Sequence, residues 1–171
     1  AMHFPKDLAE YKQALRRTKF EELFYFQMNL QVLKAENKSE TNGLAIAYDE
    51  AKIKAKIAAL PFPLTEAQQR SLSEILAHMN RLLQGDVGSG KTVIASLAMY
   101  GAYTAGLQSA LMVPTEILAE QHYESLQGLF PELEVVLLTS GMKAADKKVA
   151  LSKIESGEAQ MIVGTHSLIQ D

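Results

Sequence analysis

An α/β fold, a parallel sheet with helices on both faces, is predicted for residues 61–171, preceded by a helical segment over 1–60. Three observations predict it. From residue 82 onward short apolar runs of strand length alternate with stretches of helical period, the order that a parallel sheet with crossover helices requires. Between the first run and its helix stands Gly85-Asp86-Val87-Gly88-Ser89-Gly90-Lys91-Thr92, which matches G-x-x-x-x-G-K-[ST] at every fixed position. Pro61-Phe62-Pro63 separates this region from what precedes it, because neither proline can donate to a helix and each restricts its neighbour.

The elements follow in order. Pro5 to about Lys34 reads as helical, with Leu8, Tyr11 and Leu15 on one stripe and Phe20, Leu23, Phe24 and Leu30 on another. Thr18 with Glu21 three residues on has the capping-box pattern, so a break between two helices is expected near Thr18. Lys12, Arg16, Arg17 and Lys19 are the densest basic cluster, read as a solvated helix face, and Phe20, Phe24, Tyr25 and Phe26 as packing rather than binding. Asn37 to Gly43 reads as a loop and Ala45 to Leu60 as a third helix, ended by the prolines.

Thr65 can cap a helix to Ala77 with Leu72, Ile75 and Leu76 inward. Leu82-Leu83-Gln84 reads as a buried strand entering the glycine loop, and Val93 onward as a helix ended by Gly106. Ala110–Val113 is a strand stopped by Pro114, and Thr115 can cap a helix to about Leu126. Val135–Leu138 is the next strand, Ala144–Ser156 a helix ended by Gly157, and Met161–Val163 the last strand. The glycine loop, Pro114-Thr115-Glu116 and Gly164-Thr165-His166 then share the carboxyl ends of the strands, where α/β sheets carry their ligands.

Composition narrows the classes. The chain has 171 residues, 47% hydrophobic, a formal net charge of −3 and no cysteine, so disulfides and thiolate metal sites are excluded. No apolar run approaches the roughly 18 residues of a membrane span, so no membrane partner and a cytoplasmic location are expected. The net charge does not advertise nucleic acid, so any such role rests on local motifs.

The glycine loop carries the chemistry. Glycines let successive N–H groups converge on phosphate oxygens at the positive end of a helix. In that arrangement Gly85, Asp86, Val87, Gly88, Ser89 and Gly90 form the cradle, Lys91 reaches the outer phosphates, and Thr92 places its hydroxyl on Mg²⁺ held through ATP. A chance Gly-Lys-Thr in a turn is the plain alternative. His122 and His166 lack a partner at a metal-ligand spacing such as H-E-x-x-H and read as ordinary hydrogen-bonded histidines.

Leu83–Thr92, Pro114–His122 and Val163–Gln170 together resemble the RecG-type DNA helicases of superfamily 2, bacterial enzymes that remodel stalled forks and branched DNA. The last two resemble helicase motifs Ia and Ib; Leu60-Pro61-Phe62, Leu64-Thr65 and Gln68 resemble the adenine-reading segment, and Arg17–Phe24 the helical region before the motor. The resemblance implies a RecA-like P-loop lobe, incomplete here, with ATP and Mg²⁺ as cofactors and forked DNA as partner. It implies that Gln68 reads the adenine edge, that Lys91 and Thr92 hold phosphate and Mg²⁺, and that Thr115 and Thr165 contact the DNA backbone. Either threonine alone reads as a helix cap, and Phe62 could stack on the base or pack in its turn.

Two departures stand out. Such helicases need an Asp-Glu pair after a later strand and a second lobe that supplies arginines, whereas Asp49-Glu50 is the sole such pair and precedes the motor. This chain is therefore expected to be one piece of a larger enzyme, without its wedge domain and remaining helicase domains, and inactive by itself as an ATPase. The path from Ala77 to Arg81 is also shorter than the family pattern. A transcription-repair coupling motor is the neighbouring reading. A P-loop kinase or nucleotide switch, or a non-catalytic interaction module, comes from another class.

Overall fold

The computed structural model describes residues 4–39 and 46–169. They fall into two compact units, Ala1–Ala45 and Ile46–Asp171. Among its described residues the first holds one helix, α1 (Leu8–Ser39), uninterrupted at Thr18. The expected break fails for a local reason: the Arg17 Nε bonds Glu21 Oε1 at 2.8 Å, so Glu21 does not turn back as a capping residue, and the Thr18 hydroxyl donates to Ala14 O one turn earlier. No proline or glycine occurs between Lys6 and Asn42 to force a stop. Helix α1 also covers the first residues of the expected Asn37–Gly43 loop; the rest of that loop lies outside the described residues.

The second unit begins with α2 (Glu50–Ala58), shorter than expected because Asp49 caps it, its side chain accepting from Lys52 N. Helix α2 lies before residue 60 yet belongs to the compact unit of the sheet, with Ile53 buried in its core. Helix α3 (Glu66–His78) starts on a full capping box between Thr65 and Gln68. Helices α4 (Lys91–Thr104), α5 (Glu116–Leu129) and α6 (Ala144–Glu155) alternate with β1 (Ser109–Met112), β2 (Val135–Leu138) and β3 (Met161–Gly164). Gly106 and Gly157 follow α4 and α6 with φ of 76° and 77°, the left-handed turn that a glycine takes without a Cβ penalty.

The sheet is parallel with order β1-β3-β2 and pairs Ala110 and Val136 with Ile162 across both neighbours. Alternate residues of the strands face two cores. Val135, Met161 and Val163 join Ile94, Leu97, Ala119, Leu126 and Phe130 from α4, α5 and the residue after α5, while Val136, Leu138 and Ile162 meet Ala150 of α6. Helices thus cover both faces, as the near-continuous apolar character of β2 and β3 requires.

One expected strand is missing. Leu82-Leu83-Gln84 has no regular secondary structure, with Leu82 93% exposed and Leu83 half-buried. A strand exists only through a partner's ladder, and the described sheet of β1, β3 and β2 does not include this segment.

Candidate nucleotide site

The site grows out of the N-terminus of α4. Gly90 is its N-cap, at φ 80° and ψ 21°, and Gly88 has φ 82°; a side chain at either would sit in the left-handed region. The two glycines differ in surroundings. A Cβ on Gly88 would meet nothing within 4 Å, whereas one on Gly90 would lie 2.4 Å from Gln68 Nε2. Gly90 therefore marks a close approach of α3 to the loop.

Gln68 makes that approach with both ends of its amide. Its Oε1 accepts from Thr65 N at 2.9 Å within the capping box, and its Nε2 donates to Ser89 O at 3.0 Å. Sequence reasoning found Thr65 as a cap but missed that the Thr-x-x-Gln spacing fixes the Gln68 rotamer and aims it at the loop. Lys91 Nζ folds back over the loop and donates to Gly85 O at 2.8 Å and Asp86 O at 2.7 Å. Asp86 and Val87 form the exposed tip of the loop. Thr92 sits half-buried in the first turn of α4, which Ser96 tightens by donating to Thr92 O at 2.7 Å.

A cavity of about 400 Å³ opens here, lined by Thr65, Gln68, Ser71, Leu83, Gly85, Gly88, Ser89, Lys91 and Ile94. The structure thus brings Gln68 together with the glycine loop and Lys91. Phe62, 41% exposed, is not among the lining residues. An ammonium, the backbone N–H groups of a first helical turn and an open concavity form an anion-accepting arrangement. The donor set suits phosphate, and Lys91 has only to exchange two carbonyls for phosphate oxygens.

The other two loops lie at the carboxyl ends of β1 and β3. Thr115 is exposed and caps α5, its hydroxyl accepting from Leu118 N. Thr165 is buried; its hydroxyl lies 3.3 Å from Ser167 Oγ, which donates to Leu138 O at 3.0 Å and fastens the 3₁₀ turn His166–Leu168 to the end of β2. Glu116 Oε1 accepts from Gly141 N at 2.7 Å and ties the start of α5 to the loop after β2. The Glu116 contact went unseen in the sequence, where only the small-residue turn Ser140-Gly141 hinted at it. His122 is half-buried on α5 and His166 exposed, and among the described residues no group of His, Asp and Glu is placed to hold a metal.

Lys56 of α2 braces the core. Its Nζ lies 4.8 Å from the Phe130 ring centre and 2.7 Å from Glu132 Oε1. Burial pushes the Glu132 carboxyl up, but the hydrogen bond and charge of Lys56 outweigh it and hold the group below the usual carboxylate range. Burial raises the Tyr100 phenol, whose ring stacks on Phe130 at 5.3 Å.

The profile of the DEAD/DEAH box helicase family matches residues 65–171. The ATP-dependent DNA helicase RecG of Streptococcus pneumoniae is 64% identical over 177 aligned positions, covering 100% of this chain and 26% of that protein. RecG of Bacillus subtilis is 47% identical, again over 100% of this chain and 26% of its own length. A structure of RecG bound to a three-way DNA junction superposes with a TM-score of 0.85 at 41% identity, over 99% of this chain and 24% of that one. The chain thus spans about a quarter of the length of these relatives. Among its described residues no helix is long and apolar enough to cross a membrane. The chain belongs to the DEAD/DEAH box helicase family, which implies nucleotide use, and is similar along its whole length to the RecG helicases.

Proposed function

We propose that this chain carries the nucleotide-binding part of an ATP-dependent helicase that remodels branched or forked DNA in recombination and repair. The single observation that carries the reading is the Gly85–Thr92 loop at the head of α4, with Lys91 poised over it and Gln68 braced against it. In this reading the loop N–H groups and Lys91 bind the phosphates of ATP, and Thr92 contributes a hydroxyl to the Mg²⁺ that ATP brings. Bound Mg²⁺ supplies charge neutralisation along the phosphates. Gln68 reads adenine by exchanging its Ser89 contact for the base edge, and Phe62 offers a ring beside the Thr65–Gln68 cap. Thr115 presents the N-terminus of α5 to a DNA phosphate; Thr165, whose hydroxyl is engaged, contributes through backbone placement.

Support for DNA comes from the relatives: RecG proteins are named DNA helicases, and one has been seen on a three-way junction. In this reading unwinding belongs to the full-length enzyme, whose other helicase domains are the partners of this part, and the working location is the cytoplasm. The family profile beginning at residue 65 supports a lobe over 61–171 after a linker over 1–60, even though α2 packs with the lobe. Competition for a fluorescent ATP analogue tests the reading: ATP should displace it better than GTP, and Gln68→Ala should erase that preference. Equal displacement by both nucleotides in the unsubstituted chain would remove the adenine role.

A further inference from the structure

The carboxyl end of the sheet is laced by contacts that the nucleotide site does not use. The strand order β1-β3-β2 puts β3 between the other two, so the exit of β3 separates the loops that follow β1 and β2. Glu116, the first residue of α5 after β1, spans that separation: its Oε1 accepts from Gly141 N, in the loop after β2, at 2.7 Å. Ser167, in the turn after β3, donates to Leu138 O at the end of β2 and lies 3.3 Å from the Thr165 hydroxyl. Thr115 and Thr165, read above as DNA contacts, are thereby joined through one intermediary, the end of β2 and its loop.

Gly141 suits this contact by having no side chain. A Cβ there would lie 2.7 Å from Glu116 Oε2 and 3.3 Å from its Cδ, so the carboxylate rests against the glycine and a larger residue would lift it off. The bond is exposed, so it adds little to stability. A carboxylate beside Thr115 also opposes a phosphate, since both are drawn to the positive head of α5. Any favourable effect of Glu116 on DNA binding must therefore come through the contact it makes with Gly141.

We infer that Glu116 is a positioning residue for the nucleic-acid backbone: by fastening the Gly141 loop to the head of α5, it holds the loops of all three strands in the arrangement in which Thr115 and the Thr165 turn meet one DNA strand together. The inference rests on the DNA reading above and adds to it a residue that itself touches no phosphate. It reverses the sign expected of a surface acid, whose removal ordinarily tightens binding to a polyanion.

The test is fluorescence anisotropy of a labelled oligothymidylate at low salt with this chain, Glu116→Ala, Glu116→Gln and Glu120→Ala. Glutamine keeps an oxygen that can accept from Gly141 N without the charge, and Glu120, exposed one turn further along α5, controls for loss of an acid alone. Glu116→Ala should weaken binding about fivefold, the equivalent of one hydrogen bond, while its Tm stays within about 2 °C. Glu116→Gln and Glu120→Ala should bind at least as tightly as the unsubstituted chain. Unchanged or tighter binding by Glu116→Ala, or a loss in Glu116→Gln equal to that in Glu116→Ala, would overturn the inference while leaving the DNA reading intact. No binding by any of the four chains would remove the DNA reading, and the positioning role with it.

Discussion

Gly90→Ala tests the contact between α3 and the glycine loop. The new methyl meets two costs. Holding alanine at φ 80° costs roughly 1–2 kcal/mol, because the left-handed region crowds Cβ against the following carbonyl. The methyl would also lie 2.4 Å from Gln68 Nε2, the flexible end of a side chain, which moves aside and gives up its bond to Ser89 O. That loss adds about 1 kcal/mol, a typical net hydrogen bond. Gly88→Ala shares the first cost, since φ there is 82°, and not the second, since nothing lies within 4 Å. Urea unfolding should therefore rank Gly90→Ala about 1 kcal/mol worse than Gly88→Ala. In a Gln68→Ala background the difference should vanish, because the group that the methyl displaces is gone. Equal costs at the two glycines, or an unchanged difference without Gln68, would refute the reasoning.

Three further outcomes follow from the packing. Gly164→Ala would place a Cβ against Leu138 O, a backbone atom that cannot swing away, and should cost at least about 3 kcal/mol by chemical denaturation. Ser109 Oγ is buried without a partner at the start of β1, so Ser109→Ala should be neutral or stabilising by up to about 1 kcal/mol in the same assay. Glu132, held below its unfolded value by Lys56, contributes stability that is present above the unfolded carboxylate pKa and lost as pH falls through the folded one. Lys56→Met should therefore lower stability at pH 7 by about 1 kcal/mol, given the partial exposure of Glu132, and the difference between the two chains should shrink as pH falls through the depressed folded pKa of Glu132.

The sheet and its helices were legible because their signals are local. Val135–Leu138 and Met161–Val163 are apolar runs with turn residues beside them, and Thr65 and Thr115 are caps that the structure uses as caps. What depends on a distant partner was not legible. Leu82–Gln84 has the composition of a strand, yet pairing requires a neighbouring edge that sequence periodicity does not reveal. Thr18 and Glu21 have capping-box spacing, and Arg17 one residue away took the carboxylate instead. At the site, the glycine loop was readable letter by letter. The brace from Gln68 to Ser89 joins residues 21 apart, and Glu116 to Gly141 joins residues 25 apart, separations at which a single chain gives no signal. Thr165 was readable as a loop residue at a strand end, while its burial under Ser167 depends on β2 lying alongside.

The account turns on Lys91 and the loop accepting phosphate. Calorimetric titration of Mg²⁺-ATP into this chain and into Lys91→Ala, with adenosine as the phosphate-free control, tests that most directly. The account predicts saturable binding of Mg²⁺-ATP that weakens at least tenfold in Lys91→Ala, with adenosine far weaker for both. Equal affinity with and without Lys91, or adenosine binding as well as ATP, would contradict it.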